Sequence, residues 1–198
     1  MIRTTLAALV VVLVLGVSAT AEIYQNIGPF DTLGDVQKKF PNATFEKQSP
    51  AWAKDSDALY WIQGNGLSGT IVVKFNDRRI RWKARLATTS DETLKNWISE
   101  QINKPDDEAL AVEWVRWVPS SPIPLSRFLA KYGSTPKRKF ADSDLQPYRE
   151  WPNGVSAFLS DDEKSVVRVD YEFTDADWCA AAKLRGENWV RSYCKPKK

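Results

Sequence analysis

Short runs with apolar residues at every second position recur along this chain, and they constrain its fold more than any other feature. Successive side chains of a β-strand point to opposite faces, so a period of two predicts strands with one buried face. Turn-rich segments such as "GNGLSG" and "SDDEKS" separate the runs and favour antiparallel hairpins. The predicted strands cover residues 58–63, 69–75, 112–118, 155–159 and 166–173. In the last of them, the residues expected to share one face are Val167, Val169, Tyr171 and Phe173.

The segment "RRIRWKARLA" at 78–87 shows the same alternation with a cation at every second position. We interpret it as a strand that follows a tight turn at "NDRR". Its basic face comprises Arg79, Arg81, Lys83 and Arg85, and its apolar face comprises Ile80, Trp82, Ala84 and Leu86. Trp82 is then expected in the core. The basic face either binds an acidic partner or an anionic envelope component, or it is a solvated, salt-bridged strand face.

Four segments have helical spacing of their apolar residues. The first begins at Thr32, which can cap a turn that contains Asp35, and the second is predicted to begin with Ser90 as its N-cap. The third starts at Pro124 and ends at Gly133, and the fourth runs from Thr174 or Asp175 to Gly186. Helices and antiparallel strands in one chain predict an α+β fold in which an antiparallel sheet has its helices packed on one face.

The two parts of the chain resemble each other. Residues 33–44 align with 125–136, and each segment is followed by an aromatic strand and an Asn-Gly turn, at 65–66 and at 153–154. This pattern predicts two similar helix-and-sheet halves, 22–118 and 119–198. Chance similarity between two ordinary helix-hairpin units is the alternative.

The first 21 residues have the composition of a secretory signal peptide. Arg3 precedes an apolar run at 6–17, and small residues at Ala19 and Ala21 suggest cleavage after Ala21. An uncleaved N-terminal anchor is the alternative. No later segment is long enough to span a membrane, so the mature chain is expected in the periplasm or outside the cell.

Both cysteines, Cys179 and Cys194, lie close together in the sequence. An exported protein meets an oxidising compartment, so a disulfide between them is expected, with two free thiols as the alternative. In the chain-entropy model, closing such a loop contributes about 3 kcal/mol.

Charge and composition exclude several kinds of function. Without Arg3, the 28 basic residues become 27 against 25 acidic ones, a near balance that argues against nucleic acid as a partner. The chain has no histidine, which removes the usual catalytic triads and imidazole metal sites, and no phosphate-binding loop is present. We therefore predict no cofactor and no metal. The acidic clusters at 106–108 and 161–163 lack the spacing of a calcium loop and are interpreted as solvated turns.

Carboxylate catalysis of the glycosidase type remains open to a chain without histidine. The candidate acids for it are Glu113, Glu150, Asp170 and Glu172. Sequence does not give the distances between them, so no catalytic residue is assigned.

Nine tryptophans are the main compositional oddity of the chain. In "VEWVRWV" both faces of the predicted strand carry apolar groups, since Val112, Trp114 and Val118 oppose Val115 and Trp117. One face can meet the core, and the other needs cover from within the protein or from a partner. Tryptophan and arginine are enriched in binding hot spots. The candidate binding residues are therefore Arg79, Arg81, Lys83, Arg85, Trp114, Arg116, Trp117 and Trp151.

Two stretches, "GPFDTLGDVQKKFPNA" and "PIPLSRFLAKYGSTP", resemble the helix and turn that open the domains of the beta-lactamase inhibitor protein family and of BamE-like outer-membrane assembly subunits. Unlike the BamE-like lipoproteins, this chain has no cysteine at the leader cleavage point. The resemblance implies a non-enzymatic protein that binds another protein across a concave sheet. We therefore expect an exported binding module, such as an inhibitor, immunity factor or assembly accessory, with an envelope or secreted protein as partner. The alternative is a glycan-binding protein or a carboxylate-based glycan hydrolase.

Overall fold

The computed structural model describes residues 27–50, 57–64, 66–132, 137–140, 145–151, 153–184 and 194. Within these ranges the chain forms an antiparallel sheet of nine strands together with six helices, which confirms the predicted α+β class. The strands are β1 Ala43–Gln48, β2 Asp57–Gly64, β3 Gly69–Asp77, β4 Leu110–Pro119, β5 Ile123–Pro124, β6 Lys137–Phe140, β7 Pro147–Glu150, β8 Val155–Leu159 and β9 Ser165–Glu172. The helices are α1 Leu33–Lys39, α2 Arg78–Leu86, α3 Glu92–Ile102, α4 Asp106–Ala109, α5 Leu125–Tyr132 and α6 Asp175–Leu184.

The order of strands across the sheet is β1-β2-β3-β4-β9-β8-β7-β6, and β5 pairs with β9 beside this path. The first four strands therefore lie on one side of the β4–β9 contact and the later ones on the other. This contact pairs residues 114–117 with residues 169–172. Strands β1, β6 and β7 and the segment β5 lie outside the five strand ranges that the sequence predicted.

A short extended segment precedes both α1 and α5 and pairs with a central strand. Before α1, Thr32 forms a bridge with Ala111, and the Val112 amide donates to the Asp31 carbonyl at 2.8 Å. Before α5, β5 pairs with the first residues of β9. Leu33 and Val36 of α1 and Phe128 of α5 then join the same apolar cluster as the inward residues of the sheet. These two helices consequently cover one face of it, as predicted.

A β-bulge in β4 changes which side chains reach that core. Lys74 pairs with Trp114 and Phe75 pairs with Val112, so Glu113 is the extra residue. An extra residue shifts the alternation by one position, and Val112 and Val115 both become buried. The expectation that these two valines lie on opposite faces is therefore wrong.

A second β-bulge, in β9, changes the face predicted for Val167. Phe158 pairs with Arg168 and Leu159 pairs with Val166, which leaves Val167 as the extra residue. Val166 and Val169 are the buried positions, whereas Val167 is only half-buried. A period of two cannot reveal a bulge, because the pattern shifts by one residue without any signal in the composition.

The basic segment is a helix, α2, and its predicted assignment to a strand is wrong. Asp77 caps it by accepting a hydrogen bond from the Arg79 amide at 2.9 Å. Most residues of "RRIRWKARL" are good helix formers, and only Ile80 and Trp82 favour strands, so local propensity and the cap outweigh ten residues of alternation. Trp82 is half-buried against Trp97 of α3, with ring centroids 4.9 Å apart, and is not part of the main core.

The other helices follow the sequence more closely. The capping box of Thr32 and Asp35 is present as predicted, and α5 begins directly after Pro124. The cap of α3 is Asp91 rather than Ser90. The acidic cluster at 106–108, expected to be a turn, forms the first turn of α4, where acids are favoured by the helix dipole. The proposed ends at Gly133 and Gly186 lie outside the described residues.

The C-terminal helix α6 follows β9 and packs against Phe30 and Phe173. Its Trp178 contacts Phe30 and Phe173 edge-on, with centroids 5.0 and 5.8 Å away. Burial raises the pKa of Tyr171 to about 12, and Asp177 of α6 adds to this effect. The predicted disulfide joins Cys179 of α6 to Cys194. It therefore ties the end of the chain to this helix.

Two expectations concern membranes. None of the helices in the described ranges is long and apolar enough to cross a bilayer. The predicted signal peptide at 1–21 lies outside those ranges.

The core position of Trp117 leads to a stability prediction. Trp117 is 1% exposed, whereas Trp97 is 44% exposed. Trp117→Ala should lower the free energy of unfolding by about 3–5 kcal/mol, because it leaves a cavity. The matched variant Trp97→Ala should cost about 1 kcal/mol, the size of one aromatic pair. Urea denaturation followed by circular dichroism measures both, and equal losses would contradict the burial assigned to the two rings.

Candidate functional site

The sheet face opposite the core is the main candidate for a binding surface, and we call it the open face. The register brings its side chains into rows that cross the strands. One row runs through Trp61, Val72, Arg116, Asp170, Ser156 and Glu150. A second row contains Thr70 and Val118 on β3 and β4, followed by Arg168, Phe158 and Tyr148 on β9, β8 and β7. In a third row, Trp114 of β4 lies between Lys74 of β3 and Glu172 of β9.

Large apolar groups remain accessible on this face. Trp61 is 41% exposed and Val118 is 38% exposed. Other apolar residues of the face are covered by their neighbours. The Arg168 guanidinium lies 3.5 Å from the centre of the Phe158 ring, and Tyr148 stacks on that ring at 4.9 Å. The result is a surface of aromatic groups with cationic groups lying against them.

Arg116 is held in a fixed orientation at the centre of the open face. Its Nε and Nη2 donate to the two carboxylate oxygens of Asp170 at 2.7 and 2.8 Å, across the β4–β9 contact. The same guanidinium lies 5.2 Å from the Trp114 ring centre. A two-pronged ion pair combined with ring contact restricts the side chain before any ligand arrives, which reduces the entropy lost on binding.

Three of the four acidic residues that could serve carboxylate catalysis are engaged in ion pairs on or beside this face. Glu113 lies 3.1 Å from Lys74, Glu150 pairs with Lys139, and Asp170 pairs with Arg116. Among the described residues, no group of three acidic, histidine or cysteine side chains could hold a metal ion.

Two of the predicted binding residues are part of the core. Trp117 is 1% exposed and Trp151 is 2% exposed, and Trp151 packs against Tyr132 with ring centres 5.4 Å apart. Their side chains are not accessible to a ligand, which corrects their assignment as surface residues. Trp114 and Arg116, predicted from the same strand, do lie on the open face.

The four predicted basic residues lie on α2 and not on a strand of the sheet. Positions two apart on a helix are about 200° apart around its axis, so they do not form one basic face. Arg81, Lys83 and Arg85 are exposed. Arg79 is engaged: it donates to Asp77 at 2.9 Å and to Asp106 at 2.6 Å. It therefore links α2 to α4 rather than presenting its charge to a partner.

These contacts shift the pKa values of the linked groups. Burial raises the pKa of Asp77, but hydrogen bonds from Arg79 lower it by more, so the net pKa lies below the usual 3.8. The pKa of Arg79 is raised, chiefly because the Asp77 carboxylate accepts its hydrogen bonds. Both shifts favour the charged pair.

Sequence reasoning missed Trp61 and Arg168 as members of the open face. The alternation in "ALYWIQ" places Trp61 on the face opposite Tyr60 and Ile62, and this pattern could have indicated that Trp61 lies outside the core. Arg168 falls on the same face as Asp170 by the period of two, but the sequence does not show that its guanidinium lies against the Phe158 ring.

Comparison with known proteins identifies no relative of this chain. No protein-family model matches this chain, and searches of curated proteins and of solved structures give no match.

The Asp77–Arg79 pair predicts a pH dependence of stability. The pKa of Asp77 is lowered in the folded state, so its contribution is present above the unfolded pKa of 3.8 and is lost as the pH falls through the lower folded value. Asp77→Asn should flatten the decline of unfolding free energy in acid. Asp107→Asn, an exposed acid of α4, is the control and should decline as the wild type does. Parallel curves for Asp77→Asn and wild type would refute the role of Asp77.

Proposed function

We propose that this chain is an exported, non-enzymatic protein-binding module and that the open face is its binding surface. The observation that carries the proposal is the exposure of Trp61 and Val118 beside the pre-oriented Arg116. Tryptophan and arginine are the residues most enriched in binding hot spots. An envelope or secreted protein is the proposed partner.

The dimensions and charge of the open face support a protein ligand. Rows of paired residues cross six strands, and at a spacing of about 4.8 Å these span about 24 Å. This is close to the width of a standard interface patch of about 800 Å² per partner. Charges on the face are paired with one another, both at its centre, as in Arg116–Asp170, and near its β6 edge, as in Lys139–Glu150. A partner can therefore cover them without leaving a buried charge alone.

Two further features support the proposal. The strand order is mirrored about the β4–β9 contact, and α1 and α5 each follow a short paired segment. This is the arrangement expected of two similar halves, and it supports the resemblance to proteins that bind across a sheet. The Cys179–Cys194 disulfide fits a protein of the periplasm or the extracellular space.

Trp61 gives the sharpest test of this function. The wild-type chain, Trp61→Ala and Trp97→Ala serve as immobilised baits for periplasmic and secreted proteins, because the two tryptophans are 41% and 44% exposed on different elements. One stoichiometric protein should be retained by wild type and by Trp97→Ala. Its affinity for Trp61→Ala should fall about 30-fold, the loss typical of a hot-spot residue. Calorimetry with the isolated partner measures this loss.

Three outcomes would count against the proposal. Equal affinity of wild type and Trp61→Ala would remove the open face as the site. Retention of a glycan that Trp61→Ala abolishes would favour the carbohydrate-binding alternative, since tryptophan also stacks on sugar rings. Turnover of a glycan that Glu150→Gln or Asp170→Asn abolishes would show the chain to be an enzyme.

A further inference from the structure

The outer edge of β1 is a second place at which this sheet can bind another chain. Among the described strands, β1 lies at the end of the sheet and pairs only with β2. A strand at a sheet edge presents main-chain donors and acceptors that can pair with a further strand. The residues that present them on β1 follow from the hydrogen bonds of the neighbouring strands.

The Ser120 amide donates to the Ser68 carbonyl at 2.9 Å, in register with the β3–β4 pair. In an antiparallel ladder, alternate residues of a strand bond to the neighbour on one side and the residues between them to the other. The even-numbered residues at 70–74 of β3 therefore bond to β4, and the odd-numbered ones bond to even-numbered residues of β2. The odd-numbered residues of β2, Trp61 among them, then bond to the even-numbered residues of β1.

The main-chain groups of Phe45 and Lys47 consequently point away from the sheet. Each of these residues offers one donor and one acceptor at the outer edge. Ala43 belongs to the same odd-numbered set, and its amide donates to the Phe40 carbonyl at 3.1 Å rather than to β2, which agrees with this assignment. The edge therefore presents two adjacent pairs of groups with the spacing that an added strand requires.

The side chains of β1 alternate between two surroundings. Phe45 stands opposite Ile62 and packs against the core cluster, whereas Glu46 stands opposite Trp61 and continues a row of the open face. Glu46 is exposed. A strand added at this edge would place one of its side chains directly beside Glu46, at a position without hydrogen bonds where opposed residues are closest. Because opposite charges at such positions stabilise a strand pair, that side chain is expected to be basic.

A second copy of this chain does not fit the edge. In a two-fold antiparallel pair, the numbers of opposed residues have a constant even sum. Registers that pair Phe45 and Lys47 then bring Glu46 opposite Glu46 of the second copy or Lys47 opposite its own copy, unless Lys47 faces Ala43, whose amide is already bonded. Like charges directly opposite destabilise a sheet. The edge thus disfavours self-pairing and selects a different chain.

We propose that the partner of the proposed function, on which this inference rests, adds an extended segment to β1 as an antiparallel strand. The segment carries a basic residue opposite Glu46 and, next to it, an apolar residue opposite Phe45. Its main chain bonds to the outward groups of Phe45 and Lys47. Trp61, which is 41% exposed, lies one strand from the edge, so the same partner can contact it on the open face.

Lys47→Pro and Lys47→Ala are a matched pair of variants for this proposal. Both remove the lysine side chain, but only proline removes the outward amide. Proline is tolerated on an edge strand where its nitrogen faces away from the sheet. The bonds from β1 to β2 use the even-numbered residues, so both variants should fold, and circular dichroism verifies this.

The probe is a phage-displayed library of short random peptides, selected on the wild-type chain. The enriched peptides should contain a basic residue next to an apolar one. A synthetic peptide of the enriched sequence should bind Lys47→Pro about tenfold more weakly than Lys47→Ala, because one hydrogen bond is lost. Calorimetry measures the two affinities. In the wild-type complex, hydrogen exchange should show protection of the Phe45 and Lys47 amides.

A charge reversal tests the side-chain contact without a change in the backbone. Selection on Glu46→Lys should enrich peptides with an acidic residue in place of the basic one. Absence of any enriched peptide on wild type, or the same basic peptides on Glu46→Lys, would overturn the proposal. Equal affinity of the peptide for Lys47→Pro and Lys47→Ala, or unchanged exchange of the two amides, would do so as well.

Failure of this inference is distinguishable from failure of the proposed function. Suppose that the protein retained in the Trp61 test binds Lys47→Pro as tightly as Lys47→Ala. The open face would then remain the binding surface, and strand addition at β1 would be rejected. Equal affinity of that protein for wild type and Trp61→Ala would instead refute the proposed function.

Discussion

The pairing of β4 with β9 is the constraint on which the rest of the structure depends. It joins strands far apart in the sequence and makes one sheet out of two antiparallel meanders. Both strands carry a bulge just before the paired segment, at Glu113 and Val167. On the N-terminal side of its bulge, β4 pairs with the segment that precedes α1, and β9 pairs with the segment that precedes α5. The central contact therefore also positions α1 and α5 over the core.

The same contact creates the open face. Residues 114–117 alternate between the two sides, so Val115 and Trp117 enter the core while Trp114 and Arg116 point away from it. Asp170 stands opposite Arg116 because of the register, and their ion pair crosses the junction. The Arg116–Asp170 ion pair thus lies on a strand whose opposite side chains, Val115 and Trp117, are buried in the core. A binding group supported by a core strand loses little freedom when a partner arrives.

The sequence predicts the parts of this fold that depend on local chemistry. The capping box at Thr32, the proline before α5 and five of the strands follow from short-range rules, and they are present. The disulfide, which is also present, follows from the cysteine count and the expected compartment. The bulges and the strand order depend on contacts between distant residues, which one sequence does not reveal. Composition marks Trp117 and Trp151 as candidate binding residues without giving the face on which each side chain lies, and both are buried.

The error at α2 has a different cause. Its alternation satisfied the rule for strands, yet helix propensity and the Asp77 cap favoured the helix. The position of α2 in the chain explains why its helical conformation does not disturb the sheet. Asp77 and Leu110 are paired neighbours at the ends of β3 and β4, so residues 78–109 leave and rejoin the sheet at one point. The corresponding connection between β8 and β9 is a turn at 160–164. An insertion between paired residues does not alter the strands, and α2 is held to the sheet by Asp77 and to α4 by Arg79.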